Sequence, residues 1–525
     1  MTSPQSRNRS RRATSHIAVR VAHAVLGGLV AVGWLMLPLA RAGDSDAATV
    51  ARNVRVADEA GDGGEEAGDE PGQDGTATGD LVLPLVAVGA AAVLATYGYA
   101  RRKRRARTRT TPGGGAPVVP ITEIARQARE LLVETDDCVR TSTEELRCVR
   151  SQFGDEPVKP YAEALASAKS ELATAFRLRQ QLDDGVPEDG RRTLETIALH
   201  CTEAGRRLDS EAAGFDLLRG LEHDAATALG HAETRFRELA ARTPATEVTF
   251  GDLHERYAPS ASLPVAGHVE QAKDRLVFAT VHLNQARQSL DRDDGGKAAV
   301  HLRVAEGAVD QAAVLVDGVD RLAAELAAAA KELPAALTGV AADLTEARGA
   351  LVTTGVGELP GRVAHAESLL AEVRRETAGG PYDPLDALRR VAEAGIGLAE
   401  ARAGEASEER ARALLDHALL PARSAVAATA DFVTTHRGAV GCEARTRLAE
   451  AERHLARSEV RRADVLARQA RELAERDVRA YGHPYGAAEG AGAGGAVLGG
   501  ILLSGGGPAS FGGPRTRTRR ATPAD

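Results

Sequence analysis

Between Ile121 and Ala480 apolar residues return every three or four positions, the spacing that lines one face of a helix. The longest regular run of seam positions is Leu194, Ile197, Cys201, Ala204, Leu208, Glu211, Phe215, Leu218, Glu222, Ala225, Leu229, Ala232, Phe236 and Leu239. Steps of three and four alternate throughout, so the period is 3.5 and the seam should supercoil left-handed. No proline lies between Glu188 and Thr243, and the spacing predicts one helix of about 50 residues, about 75 Å long.

A second seam runs Val269, Ala272, Leu276, Ala279, Leu283, Ala286, Leu290, and a third Ala298, Leu302, Ala305, Val309, Ala312, Val316, Val319, Ala323, Leu326. Asp293-Asp294-Gly295-Gly296 reads as a turn between them. If Asp291–Lys297 reverses the chain and Leu290 faces Ala298, the next layers pair Ala286 with Leu302, Leu283 with Ala305, Ala279 with Val309, Leu276 with Ala312, and Ala272 with Val316. Each layer sets a larger residue against an alanine. His268–Leu290 and Lys297–Ala323 are therefore expected to form a hairpin at the close end of the usual 8–10 Å helix separation.

Breaks in the periodicity fall at Gly154–Pro160, Asp183–Pro187, Thr243–Pro264, Thr353–Pro360, Gly379–Pro384 and Gly438–Gly441. Asp383 followed by Pro384 suits an N-cap with proline at N1. Weakly similar stretches begin at Leu302, Leu388 and Leu466, which suggests a helical array.

The N-terminal side differs. Leu81–Ala100 is twenty residues without a charge, about 30 Å of helix and one hydrocarbon core thick. Arg101, Arg102, Lys103, Arg104, Arg105, Arg107 and Arg109 follow, marking the cytoplasmic end and suiting contact with anionic inner-leaflet lipids. Residues 1–42 read as a signal peptide with a small-x-small site at Ala40-Arg41-Ala42, an uncleaved anchor being the alternative. Residues 43–80 form an acidic, Gly-rich extracytoplasmic spacer expected to be disordered, 101–120 a polybasic and Gly/Pro linker, and 121–480 the cytoplasmic helical region. Residues 481–525 turn Gly-rich and then basic, and are expected to be disordered. The expected fold is all-α: a single-pass membrane anchor followed by a long antiparallel coiled-coil or helical-array region.

Composition narrows the chemistry. Aromatics are 3% of the chain, against 27% charged residues at a net charge of −8. That profile suits Ala-rich packed helices and offers little for stacking nucleic-acid bases. Gly490, Gly492 and Gly495 spell GxGxxG without a preceding strand, and no P-loop or HExxH occurs. Cys138 and Cys201 fall on seams and read as small buried hydrophobes, while Cys148 and Cys442 have no assigned place. The acidic pairs Asp136-Asp137 and Asp183-Asp184 read as solvated helix faces or ends. No catalytic residue, cofactor, metal or small-molecule substrate is expected.

With the helices laid out, the chain resembles membrane-anchored bacterial proteins that carry a TPM domain. The resemblance rests on the membrane segment leading into RRKRRARTRTTPGGG (101–115), on 359–401 with its PYDPL, on 419–455 with DFVTTHRGAVG, and on GGAVLGGILL (494–503). That family places an extracytoplasmic TPM domain, linked in some relatives to phosphatase-like activity, between signal and membrane helix. Here only the spacer 43–80 stands there, so no family site residue carries over. The expectation is a non-catalytic membrane-tethered scaffold or interaction protein of the bacterial cell envelope. Its expected partners are the membrane and one or more proteins, with homo-oligomerisation open. The alternatives are a single-pass sensor relaying through its helices and, more remotely, a degenerate TPM-type phosphatase relative.

Overall fold

The computed structural model describes residues 119–185, 189–354, 358–401, 408–481, 501–502 and 508–521. The chain divides into two units, and all of these residues belong to the second, Gly115–Asp525. The expected signal segment, acidic spacer, membrane helix Leu81–Ala100 and basic run 101–109 lie outside the described residues. Among the described residues no helix is long and apolar enough to cross a membrane.

Helix follows helix, with no strand among the described residues beyond an isolated bridge between Leu502 and Pro508. The elements are α1 (Ile121–Phe153), α2 (Lys159–Asp183), α3 (Gly190–Arg219), α4 (Ala225–Arg256) and the single turn α5 (Pro259–Ser262). Then come α6 (His268–Leu290), α7 (Gly295–Thr354), α8 (Leu359–Gly379), α9 (Pro384–Ala401) and α10 (Glu408–Thr435). The series closes with α11 (Cys442–Ala456), α12 (Val460–Tyr481) and α13 (Pro514–Ala521). The 60-residue α7, about 90 Å long, is the spine. It packs against α4 and α6 along its first half and against α8, α9 and α10 along its second. A bundle of α1, α2 and α3 has its own core, and α11 and α12 pack as a pair against α10.

Local chemistry sets the reversals. Asp293 takes a left-handed φ of 58° after α6, its N–H donating to the Leu290 carbonyl (2.9 Å) and that of Asp294 to Ser289 (2.9 Å). Asp294 Oδ1 then accepts from the Lys297 N–H at 3.0 Å and caps α7. The same turn recurs between α11 and α12, with Ser458 at φ 59° and amide bonds to Leu455 and His454. Asp383 caps α9 as its spacing predicts, accepting from the Asp386 N–H at 3.0 Å. The three weakly similar stretches from Leu302, Leu388 and Leu466 fall in α7, α9 and α12, each packed against the helix before it.

Three expectations need correction. The predicted 50-residue helix is two, because Gly220 takes a left-handed φ of 54° and ends α3 with its N–H on the Asp216 carbonyl. The letters of the seam run on across the turn, where the off-seam Arg219 and Leu221 are buried and Glu222 is exposed, so periodicity alone could not show it. The break expected from Thr243 falls at Tyr257 instead, with Pro244 inside α4. There the buried Leu239, Thr243, Thr246 and Leu253 hold the flanks, and packing outweighs the one backbone bond that proline removes. Finally, the tail expected to be disordered is ordered over 501–502 and 508–521, where Ile501, Ala509 and Phe511 are buried and α13 forms.

Candidate functional site: a tail-filled groove over a buried ion cluster

The returning C-terminal segment lies in a groove made mainly by α1 and α3. Its anchor is Phe511, fully buried, stacked on Phe215 of α3 with ring centroids 4.4 Å apart. Tyr161 of α2 meets both rings edge-on, at 6.0 and 5.3 Å. Such aromatic pairs add about 0.5–1.5 kcal/mol beyond the area they bury. Backbone approaches backbone beside this anchor. A Cβ on Gly513 would stand 2.2 Å from the Gly205 carbonyl oxygen, and one on Gly205 2.7 Å from Pro514 Cδ.

Asp209 of α3 receives the start of α13. Its carboxylate accepts from the backbone N–H of Gly513 (2.9 Å), Thr516 (3.0 Å) and Arg515 (3.3 Å), and from the Thr516 hydroxyl (2.7 Å). A carboxylate on one helix thus serves the open amides of another, an N-cap supplied from outside the segment. Ser142 accepts from the Gly512 N–H at 3.2 Å. Arg517 donates to the Asp137 carbonyl and to Thr141, both at 2.7 Å, and Arg520 pairs with Asp216.

Beneath Ile501 and Ala509 sits a cavity of about 20 Å³, room for roughly one water, lined by charged residues of α1, α3 and α7. Arg219, 1% exposed, pairs with Glu306 and lies 3.1 Å from Glu145. Arg235 pairs with Asp310, and Arg303 reaches Asp216 at 3.0 Å. Burial alone would lower Arg219, but Glu145 and Glu306 outweigh it and raise its pKa, so it stays charged. Burial also pushes the Glu306 carboxyl up, with Arg219 only partly opposing. Cys148 touches both Glu306 and Arg235, and burial pushes its thiol up to about 12. Among the described residues the Nε atoms of Arg219 and Arg303 have no hydrogen-bond partner.

A second cluster ties α1 to α11. Arg445, fully buried, bonds Asp136 at 2.5 Å and Asp137 at 2.7 Å, and donates to the carbonyls of Val440 (3.0 Å) and Arg437 (2.6 Å). Asp136 also accepts from Arg140 at 2.9 Å, and the buried Arg437 pairs with Glu144. The Asp136-Asp137 pair read as solvated is an interhelical anchor instead; no apolar period marks a polar contact of that kind. Beside it opens a cavity of about 490 Å³ with Arg140, Glu144, Lys169 and Glu452 in its wall. Another, of about 370 Å³, lies against the PYDPL turn and includes Asp383, Arg389 and Arg471.

The hairpin residues occupy neighbouring clusters. Leu283, Ala286, Ala298, Leu302 and Ala305 share one, with Leu290 packed against it; Ala272, Leu276, Ala279, Val309, Ala312 and Val316 share the next. Both members of every expected pair therefore lie in one cluster. His282 Nδ1 and His301 Nδ1 approach to 3.2 Å across the same seam. The membrane-surface residues Arg101, Arg102, Lys103, Arg104, Arg105, Arg107 and Arg109 lie outside the described residues.

Chemically, the groove binds polypeptide. All four cysteines are buried, and burial pushes Cys138 and Cys201 up to about 12, far from a nucleophilic thiolate. Among the described residues no group of three or more His, Cys, Asp or Glu could hold a metal ion. Sequence reasoning missed Phe511, Asp209, Arg219 and Arg445; the one available signal was Phe511 itself, an isolated aromatic between glycine runs that leads into arginines.

No family model matches the chain. It is similar to UPF0603 proteins from two strains of Mycobacterium tuberculosis, CDC 1551 / Oshkosh and H37Rv, each 32% identical over 429 residues. The match covers 75% of this chain and 64% of the relatives, so the chain spans less than two thirds of their length. No solved structure matches.

Proposed function

We propose that this chain is a membrane-tethered helical scaffold of the bacterial cell envelope, acting through polypeptide contacts rather than catalysis. In this reading Leu81–Ala100 is the single-pass anchor, the basic run 101–109 rests on anionic inner-leaflet lipids, and the helical array is cytoplasmic. The observation that carries the interaction role is the groove of α1 and α3. It grips a short aromatic and Arg-rich segment with stacked rings, a carboxylate aimed at backbone amides, and two glycines placed for close approach. A proposed kinship with TPM-type membrane proteins agrees with this division of labour.

The test uses the full chain with a reporter that works only outside the membrane, fused after Asp525. The expected outcome is a carbonate-resistant membrane protein, no reporter signal, and release from the membrane when residues 81–100 are deleted. A strong reporter signal would overturn the topology. Phosphate-ester turnover that follows the chain through purification would overturn the non-catalytic role.

A further inference from the structure

The groove and the segment that fills it are joined only through the connecting chain. Among the described residues the contacts of the docked tail are made by 501–502 and 508–521, and nineteen residues, 482–500, separate it in sequence from the end of α12. Eight of those nineteen are glycine, and fully extended they could span about 65 Å. Nothing in the contacts of Phe511, Gly513, Thr516 or Arg517 refers to which molecule's α12 the tail comes from. An identical groove on a neighbouring copy presents the same Asp209, the same Phe215 and Tyr161, and the same backbone approach at Gly205.

We infer that the α1–α3 groove is an interface between copies of this chain, in which the tail of one molecule docks in the groove of another. The inference rests on the scaffold reading and names its partner. A short tether holds the tail near its own groove, so docking within one molecule dominates in dilute solution. Crowding on a two-dimensional surface raises the local concentration of other grooves and lets tails exchange. Tail exchange creates no new contact, the usual route by which a docked element becomes an oligomer contact. It also extends: a chain can give its tail to one neighbour and receive one from another.

Two glycines make this testable, because each can be blocked on one side only. Gly205→Val puts a side chain where Pro514 passes, closing the groove and leaving the tail intact. Gly513→Val collides with the Gly205 carbonyl, spoiling the tail and leaving the groove intact. As full-length chains in mild detergent, each variant alone should be monomeric, with its tail cut rapidly by protease. Mixed one to one, they should form a heterodimer of twice the protein mass, with one tail protected. A mixture that stays monomeric while both variants keep wild-type helicity overturns the inference. If Gly205→Val fails to fold, the Gly513→Val chain is titrated with a labelled synthetic peptide of residues 501–521, with Phe511→Ala as a second acceptor. Saturable binding supports exchange, and none up to high micromolar peptide overturns it. A soluble or catalytic chain would sink the scaffold reading and leave this result standing; a monomeric mixture would sink exchange and leave the tether standing.

Discussion

Leu302, Ala305, Val309 and Ala312 face α6, while Arg303, Glu306 and Asp310, on the same turns of α7, meet α1, α3 and α4. Both faces are closed to water: Leu302 and Ala305 are 0% exposed, Glu306 4% and Asp310 5%. One face is held by apolar area at about 25 cal/mol per Å², tolerant of neighbours as long as volume is kept. The other is held by charges whose removal from water costs several kcal/mol each and is returned only when every partner is in place. Burying a polar face therefore buys little net stability. It fixes which helices meet, because only α1, α3 and α4 present Glu145, Arg219 and Arg235 at the matching heights.

The sharpest way to break this contrast is to orphan a charge. Arg219→Met strands Glu306 and Glu145 in the interior and should cost about 3–5 kcal/mol, read as a lower urea midpoint. Adding Glu306→Met should recover a good part of that loss, since an apolar pair of similar volume replaces a buried ion pair at little cost. A double variant as unstable as the single one would mean that the ion pair itself carries the stability.

Acid should separate the two kinds of burial next. His268 at the head of α6 and His436 after α10 are buried, and burial lowers both to about 4, with Arg471 adding to the effect on each. Their folded pKa lies below the unfolded value of 6.5, so the unfolded chain takes the proton first as pH falls. Stability that is fully present above pH 6.5 is thus lost between 6.5 and 4, on the order of 3 kcal/mol per histidine. Urea midpoints at pH 7 and 4.5 measure it, and replacing both with Gln should flatten the slope.

The apolar face should respond least. Ala305→Leu overpacks the cluster that Leu283 shares and should cost about 1–3 kcal/mol; if the two form one layer, adding Leu283→Ala should restore much of it. Failure of the second change to compensate would show that Ala305 and Leu283 do not share a layer.

The same contrast explains what could be read in advance. Apolar periodicity marks α6, α7 and their turn, because each seam position reports directly on burial. It is blind to Gly220, where the spacing of seam letters runs on through a five-residue turn between two helices although Glu222 on it is exposed. It is blind also to polar faces: Asp136, Glu306 and Arg445 carry the same letters as solvated residues, and only their long-range partners distinguish them. The tail was illegible for a further reason. A Gly-rich stretch cannot build its own core, yet residues 508–521 need only complete one formed elsewhere, around Phe215 and Tyr161.

The claim on which the rest depends is that the C-terminal segment fills the α1–α3 groove. Amide hydrogen exchange on the full-length chain tests it at Gly513 and Thr516, whose N–H groups donate to Asp209. The account predicts slow exchange at both in the wild type, collapsing toward free-peptide rates in Asp209→Ala while α6 and α7 stay protected. Free-peptide rates at both amides in the wild type would contradict it.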